Sequence, residues 1–176
     1  MKKIVLSTLA VFSMLNAASF EQYPNGVTAT VGYMYNSEDS ELEDGLIHGL
    51  RFNQNIYNAN SPFAVDSYQI ALDIGSFGYA NSDDTTSFVN LGGNFLWYFD
   101  TQSNFVPYMI LGAGVNYISN PKTPQKTFSL YTNAGAGAEL MIRNNVALIG
   151  EAKYIYLGPK RTAVNTNVGL KFSYGD

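Results

Sequence analysis

The sequence predicts an all-β protein, an eight-stranded antiparallel up-and-down transmembrane β-barrel preceded by a cleavable signal peptide. Three observations carry this prediction. Charged residues make up only 14% of the 176 residues, well below their share in ordinary soluble domains. After the N-terminus no apolar run approaches the roughly 20 residues that a spanning helix needs. The hydrophobic residues instead alternate with polar ones, as in strands that contact lipid on one face only.

The clearest alternation lies in residues 131–156, which we interpret as two strands joined by a polar turn at residues 143–145. Even-numbered positions carry uncharged, mostly apolar side chains, whereas Glu139, Glu151 and Lys153 occupy odd-numbered positions. Successive strand residues face opposite sides of a sheet. The charges therefore point toward an enclosed interior, while the apolar face suits lipid. A soluble, lipocalin-like barrel would need the reverse arrangement.

The N-terminus has the pattern of a secretory signal peptide. Two lysines precede an apolar run over residues 4–15, and small residues suited to signal-peptidase cleavage follow at positions 17–19. The run is too short to span a bilayer as an anchor. We expect residues 1–18 to be removed and residues 19–176 to form one barrel domain.

The first half of the chain supplies four predicted strands. They span residues 26–35, about 45–53, from about 67 onward, and about 87–99. Residues 36–44 and 81–86 are predicted loops, and residues 55–62 a turn. In the third strand the alternation slips after Gly75, because Phe77 and Tyr79 would also have to face lipid. We therefore predict a β-bulge at Gly75–Ser76.

The second half supplies four more predicted strands. They span residues 105–118, 131–142, 146–156 and about 164–174, with predicted loops at 119–126 and 158–162. Pro107 is tolerable only because it lies near a strand end. An even number of strands returns the chain to its starting side. Because the loops after odd-numbered strands are mostly longer and more charged, we expect both termini in the periplasm.

On this register every charge inside a strand points into the barrel. The predicted lumen charge cluster comprises Arg51, Asp73, Glu139, Glu151, Lys153 and Lys171. An eight-stranded barrel is just wide enough to be filled by side chains, and buried charges must pair. We interpret the six as a salt-bridged plug, with room made by Gly112, Gly114, Gly135 and Gly137. The alternatives are a proton or ion path, or a gate that exchanges ion-pair partners.

Two further groups of residues fit a membrane barrel. Aromatic side chains near the strand ends are typical of the girdles at membrane interfaces. The predicted girdle comprises Tyr35, Phe52, Tyr68, Trp97, Phe99, Tyr117, Tyr154, Tyr156 and Tyr174. The first loop carries five mutually repelling carboxylates that favour water. This predicted acidic extracellular loop contains Glu38, Asp39, Glu41, Glu43 and Asp44.

Several segments resemble the small outer-membrane barrels of the OmpA/OmpX type and the wider outer membrane protein beta-barrel family. The resemblance lies in PYMILGAGVNY (107–117), AGAGAEL (134–140) and GEAKYIY (150–156). The last strand adds a pattern similar to the family's assembly signal. Its residues are Asn167, Gly169, Phe172 and Tyr174. The chain departs from the family by ending in Gly-Asp where an aromatic residue is usual.

The resemblance implies a location and partners. A member of this family lies in the outer membrane of a Gram-negative cell envelope, contacts its lipid and lipopolysaccharide, and is inserted by the barrel-assembly machinery. Its loops face outward, where a host or surface ligand could bind. The motifs specify an architecture rather than an activity. The formal net charge of −4 gives no reason to expect a nucleic-acid partner.

The remaining candidate sites are less favoured by the sequence. His48 is the only histidine, and no serine shares its face at neighbouring positions of the second strand, so an outer-wall hydrolase that modifies lipid is only an alternative. One histidine and no cysteine give no transition-metal site. The acidic loop could hold Ca²⁺ or Mg²⁺ but lacks an EF-hand pattern, so a solvated loop is favoured. Cations of the later loops could pair with lipopolysaccharide phosphate or with the acidic loops. These cations are Lys122, Lys126, Lys160 and Arg161.

We therefore expect a non-enzymatic outer-membrane barrel without a cofactor, metal or catalytic residue. It would contribute to envelope integrity or to surface interaction and adhesion through its outer loops. A narrow, porin-like channel for small solutes or hydrophobic molecules is the leading alternative, and an outer-membrane lipid-modifying enzyme is the second.

Overall fold

A computed structural model describes residues 25–37, 43–55, 66–79, 82–99, 104–119, 126–157 and 161–174. The predicted signal peptide lies outside the described residues. The strands are β1 (Asn25–Asn36), β2 (Gly45–Asn55), β3 (Ser67–Tyr79), β4 (Ser82–Tyr98), β5 (Phe105–Ser119), β6 (Lys126–Arg143), β7 (Val146–Tyr156) and β8 (Thr162–Tyr174). Each pairs antiparallel with the next, and β8 pairs with β1, so the barrel is closed. The predicted eight-stranded fold is confirmed. In the described part of the chain no helix is long and apolar enough to cross a membrane.

The alternation that predicted the strands appears directly in their burial. In β7 each residue from Ala147 to Tyr156 switches between buried and exposed, with the odd-numbered side chains inside. The turn at Asn144–Asn145 joins β6 to β7 on the same side as Asn25 and Tyr174, which pair with each other. We call this side the turn end and the opposite side the loop end. Large apolar side chains such as Leu46 and Leu111 stand exposed on the outer wall.

The predicted bulge in β3 is wrong. Pairing with β4 continues without interruption through Gly75 and Ser76, and the register shifts only between Gly78 and Tyr79. Phe77 therefore points into the barrel, where it is 1% exposed. The prediction failed because it assumed that every aromatic residue of β3 seeks lipid, whereas the loop end of the lumen is itself apolar.

Several strands extend beyond their predicted starts at the loop end. β4 begins at Ser82 and β6 at Lys126, so parts of the predicted loops 81–86 and 119–126 belong to strands. Polar residues can pair in this way above the lipid because backbone hydrogen bonds do not depend on apolar side chains. Only residues 80–81 separate β3 from β4, whereas residues 56–66 separate β2 from β3 at the turn end. Connection length alone therefore does not distinguish the two ends, and the predicted orientation rests on the charge of the first loop.

Candidate functional site

The barrel lumen gathers the charged side chains that the strands carry. All six predicted lumen charges lie inside, and each is at most 5% exposed. They come from β2, β3, β6, β7 and β8, and they form two groups that share no ion pair among the described residues. Each group contains equal numbers of positive and negative side chains, so both are formally neutral.

The first group, which we call the four-ion chain, crosses the lumen from β3 to β7. Arg51 Nη2 lies 2.6 Å from Asp73 Oδ1, and Arg51 Nε lies 4.0 Å from Glu151 Oε2. Lys153 Nζ lies 3.4 Å from the same Glu151 oxygen. Tyr108 donates its hydroxyl to Glu151 Oε1 at 3.0 Å. Alternating signs along the chain compensate the cost of removing each charge from water.

The second group, which we call the lysine pair, lies closer to the turn end. Lys171 Nζ contacts both carboxylate oxygens of Glu139, at 2.8 and 2.9 Å. Tyr98 donates its hydroxyl to Glu139 Oε1 at 2.8 Å. Lys171 Nζ also lies 5.8 Å from the centroid of the Tyr98 ring, within the range of a cation–π contact. The carboxylate of Glu139 thus accepts three hydrogen bonds, two from Lys171 and one from Tyr98.

The tyrosines of these groups were not predicted as partners of the charges. Alternation along residues 105–118 predicts that Tyr108 faces the lumen, but its contact with Glu151 joins residues 43 positions apart. Tyr98 continues the inward row of β4 that includes Phe88 and Leu96, so the alternation could have indicated its position. Sequence alternation gives the face of a side chain but not the strand across the lumen that it reaches.

The four predicted glycines make room mainly for side chains other than the ions, whereas Gly26 and Gly49 lie against Lys171 and Arg51. A Cβ at Gly137 would lie 2.6 Å from Cζ of Tyr108, and one at Gly114 would lie 2.7 Å from Cε1 of Tyr131. A Cβ at Gly112 would collide with the Asn94 amide. Of these four glycines, only Gly135 would place its Cβ against a charged side chain, with Cγ of Lys153 at 2.9 Å. The predicted role of the four glycines is therefore wrong for three of them.

Amide side chains form a hydrogen-bonded row across four strands of the lumen. Asn133 donates to Asn94 at 3.0 Å, Asn94 donates to Gln69 at 2.7 Å, and Gln69 donates to Asn53 at 3.3 Å. All four residues are at most 5% exposed. Such a row ties β2, β3, β4 and β6 together inside the barrel, where each amide is partly satisfied by the next.

The loop end of the lumen is closed by apolar side chains, a feature that the sequence analysis missed. This apolar ring takes one residue from each of the eight strands. Its members are Met34, Ile47, Phe77, Phe88, Ile118, Tyr131, Ile155 and Ala163. Each is at most 5% exposed, and Leu157 packs against the ring. Inward-facing apolar residues near the loop ends of the strands could have predicted this ring from the sequence.

The predicted girdle residues all lie on the outer wall or at its edge. At the turn end are Phe52, Tyr68, Trp97, Phe99 and Tyr174, and toward the loop end are Tyr35, Tyr117, Tyr154 and Tyr156. Neighbouring rings are in contact: the Tyr68 and Phe95 centroids lie 5.9 Å apart, and those of Tyr117 and Phe128 lie 5.8 Å apart. Phe95 and Phe128 extend the two groups beyond the predicted set.

Only the base of the acidic loop is described, and it is tied to the barrel. The Asn36 backbone N–H donates to Asp44 Oδ1 at 2.7 Å, and the Asn36 amide donates to the Glu43 carbonyl at 2.7 Å. The Glu43 N–H donates to the Gly78 carbonyl at 2.9 Å. Glu38, Asp39 and Glu41 lie outside the described residues. Within the described ranges no group of three or more Asp, Glu or His side chains could hold a metal ion.

The cations of the later loops are only partly described. Lys122 and Lys160 lie outside the described residues, and Lys126 is the first residue of β6. The carbonyl of Arg161 accepts a hydrogen bond from the Leu157 N–H at 2.9 Å, which closes the base of the last loop. The structure therefore fixes where the third and fourth loops begin and end.

His48 and the residues of the predicted assembly signal occupy the outer wall and the closing seam. His48 points outward between Val31 of β1 and Ile74 of β3. Its side chain makes no hydrogen bond or ion pair within the described strands. In β8, Asn167 and Gly169 face the lumen, whereas Phe172 and Tyr174 are more than half exposed on the outer wall.

Solved structures with the same architecture show the fold at low sequence identity. Neisserial surface protein A (NspA) has a TM-score of 0.66 at 18% identity, over 86% of this chain and 97% of that chain. The N-terminal β-barrel domain of Pseudomonas aeruginosa OprF has a TM-score of 0.53 at 16% identity, over 86% and 100%. Yersinia pestis Ail, in complex with the heparin analogue sucrose octasulfate, has a TM-score of 0.54 at 12% identity, over 84% and 97%.

No curated protein is a significant sequence match to the chain. The family model for the outer membrane protein beta-barrel domain matches residues 5–172. That match spans all eight strands apart from the last two residues of β8, and the closed antiparallel barrel with an apolar outer wall is the architecture that the family name describes. The chain therefore belongs to the outer membrane protein beta-barrel family.

Proposed function

We propose that the protein is a non-enzymatic, non-conducting outer-membrane barrel that reinforces the envelope and holds its loops at the cell surface. One observation carries this proposal: the lumen is filled by two neutral ion-pair groups whose members are at most 5% exposed. An open pore would leave such side chains hydrated. The outer wall, girdled by aromatic residues, would contact outer-membrane lipid and lipopolysaccharide.

The outer wall gives no support to an enzyme. His48 is flanked across the strands by Val31 and Ile74, so neither direct neighbour supplies a hydroxyl or carboxylate. A Ser-His-Asp site needs the nucleophile within hydrogen-bond reach of the histidine. Ser76 lies on the same outer face two residues beyond Ile74, diagonal to His48 rather than opposite. These positions favour a histidine tolerated at the membrane wall.

Conductance separates the proposal from its main alternative. In planar lipid bilayers the refolded protein should produce no steady, discrete openings. Steady openings that Lys153→Ala or Glu139→Ala abolishes would instead establish a channel through the charged lumen. Expression of the protein should leave lipid A and phospholipid profiles unchanged by mass spectrometry. An altered profile that reverts with His48→Ala would establish a lipid-modifying enzyme.

Surface interaction is a second candidate, favoured by the shape of the loop end. The last β6 residue paired with β7 is Thr132, so β6 continues beyond β7 from residue 126 to 131. In that extension Phe128 and Leu130 are 69% and 78% exposed. Their exposure suits contact with another surface. Ail, which has a similar fold, was solved in complex with the heparin analogue sucrose octasulfate.

The charges of the loops predict where an anionic ligand would bind. The acidic first loop would repel it, whereas Lys122, Lys160 and Arg161 belong to the third and fourth loops. We expect sucrose octasulfate, if bound, to lose affinity when these three cations are replaced by alanine. Replacing Glu38, Asp39 and Glu41 by alanine should strengthen binding. Calorimetric titration of the refolded protein would measure both changes, and no binding to the unaltered protein would exclude a sulfated-sugar ligand.

A further inference from the structure

We infer that the loop end of β6 is a docking edge for an extended strand of another protein, which adds to the sheet beside residues 126–131. The inference deepens the surface interaction proposed above and rests on the loop end facing the outside of the cell. It names the class of partner, a polypeptide segment in extended conformation, and the part of the barrel that binds it. We call residues 126–131 the open edge.

The open edge exists because β5 and β6 rise above β7. On one side it pairs with β5, from Tyr131 with Gly114 to Lys126 with Ser119. On the other side the pairing with β7 stops at Thr132 with Tyr156, and no strand in the described part of the chain continues it. Six residues at about 3.3 Å per residue give an edge roughly 20 Å long. Alternate residues of such an edge direct their backbone N–H and C=O groups away from the sheet, toward any strand that approaches.

The position of the open edge places it outside the lipid. Tyr156, which pairs with Thr132, belongs to the aromatic residues toward the loop end. Such residues mark the boundary between lipid and water, and the open edge begins beyond this pair. Unpaired backbone groups do not occur in contact with the hydrocarbon of a bilayer. A partner in the aqueous phase can therefore reach the open edge.

The opposite edge of the same raised sheet is protected by the chain itself. β3 also rises above its neighbour, because its pairing with β2 ends at Gly75 while its pairing with β4 continues to Tyr79. There the Glu43 N–H donates to the Gly78 carbonyl at 2.9 Å. The Glu43 carboxylate lies against Gly78, where a Cβ would collide with it. Backbone pairing and charge are two devices that prevent an edge strand from recruiting another chain.

The open edge has the composition of a strand that recruits another. Residues 127–131 read TFSLY, without a charge or a proline, and such residues favour strands. Phe128 and Leu130 are 69% and 78% exposed, and they share one face because they are two residues apart. In strand addition the backbone supplies affinity and alternate side chains supply selectivity. The partner segment therefore has apolar residues at alternate positions, on the face that it shares with Phe128 and Leu130.

A second copy of the chain in the same membrane does not fit this edge. All copies insert in the same direction, so the axis that relates a symmetric pair runs along the membrane normal. Barrel strands tilt roughly 35–45° from that normal. Two open edges related by such an axis would cross at about twice the tilt instead of running side by side. The partner is a different polypeptide, and we expect it to add antiparallel, the more stable of the two pairings.

Peptide binding tests the open edge directly. The probe is a short fluorescent peptide in which valine and threonine alternate between terminal lysines. Fluorescence anisotropy measures its binding to the barrel in lipid nanodiscs, which leave both ends of the barrel accessible. Two further peptides carry N-methyl groups on either the valine or the threonine nitrogens. We expect one methylated peptide to lose affinity at least about tenfold and the other to keep it, because only one set of donors points toward β6.

Variants of the barrel locate the bound peptide. Phe128→Ser with Leu130→Ser should weaken binding on the order of tenfold through the loss of two cross-strand contacts. Leu46→Ser is the matched control, because Leu46 is 59% exposed near the loop end of β2 but pairs with Tyr33 of β1. Since the chain has no cysteine of its own, Leu130→Cys should form a disulfide with a peptide that carries one cysteine, whereas Leu46→Cys should not. Heat-modifiable migration on gels verifies that each variant is folded.

Three results would overturn the inference: no binding of the unmethylated peptide, equal affinity of the two methylated peptides, or equal disulfide formation by Leu46→Cys. Failure of the proposed function gives different results. A membrane-impermeant maleimide should label Leu130→Cys in intact cells, and absence of labelling would overturn the surface role while peptide binding in nanodiscs would stand. Steady conductance of the unaltered protein in planar bilayers would overturn the non-conducting barrel and leave the open edge unaffected.

Discussion

A lysine enclosed by a membrane barrel needs a matched negative charge, and Lys171 meets Glu139 through both carboxylate oxygens. Removing one partner leaves the other as an unpaired buried charge. We expect Lys171→Met to lower the free energy of unfolding by about 3 to 5 kcal/mol, measured by urea titration in lipid vesicles. The double variant Lys171→Met, Glu139→Leu should recover much of that loss.

Arg143 serves as the control, because it is an exposed cation at the end of β6. Arg143→Met should change the unfolding free energy by no more than about 0.5 kcal/mol. A double variant that is no more stable than Lys171→Met would contradict the assignment of the loss to an unpaired carboxylate.

Two glycines of the β6–β7 hairpin should differ in how an alanine substitution changes the stability of the barrel. A Cβ at Gly137 would lie 2.6 to 2.8 Å from ring and hydroxyl atoms of Tyr108, whereas a Cβ at Gly150, on the outer wall, would meet nothing within 4 Å. Gly137→Ala should therefore destabilise the barrel by about 1 to 3 kcal/mol through overpacking. Gly150→Ala should be neutral or slightly stabilising. Urea titration of both variants tests this, and equal effects would contradict the observed packing.

At the scale of single elements, β3 shows how far alternation can be trusted. The alternation of polar and apolar residues predicted the inward and outward faces of the strands correctly, because the barrel wall has one lipid face and one enclosed face. It failed at Phe77, since an aromatic residue satisfies either lipid or an apolar lumen. The pairings of Arg51 with Glu151 and of Tyr108 with Glu151 could not be read from the sequence either, because they depend on shear and side-chain reach across the barrel.

The register of β3 can be tested by exchanging polarity at adjacent positions. Phe77→Ser should lower the free energy of unfolding by about 3 to 5 kcal/mol, because it opens a cavity in the lumen. Ser76→Leu places an apolar side chain on the exposed outer face and should change it by about 0.5 kcal/mol or less. A bulge at Gly75–Ser76 would reverse the order of the two effects in the same urea titration.

At the scale of the whole molecule, closure brings the last strand onto the first. Phe172 and Tyr174 stand on the outer wall of this seam and belong to the predicted assembly signal. We expect Phe172→Ser with Tyr174→Ser to reduce the amount of folded protein in the outer membrane several-fold, measured as heat-modifiable protein in isolated membranes.

The double variant should impair assembly into the outer membrane more than it impairs the stability of the folded barrel. Refolding of the same double variant in vesicles should be reduced much less than its assembly in cells. Phe128→Ser, which alters an exposed aromatic residue on β6, is the matched control and should assemble normally. Equal loss for both variants would show that outer-wall hydrophobicity, not a recognised last strand, governs assembly.

The seam between β1 and β8 joins the two ends of the described chain through twelve residue pairs, from Asn25 with Tyr174 to Asn36 with Ala163. A chain that ended before β8 would thus form a sheet with two unpaired edge strands and could not close into this barrel. Conversely, because the first and last residues of the wall are neighbours, a short linker between them would allow the chain to be cut at Asn144–Asn145 and begin elsewhere. The circular wall itself has no first strand.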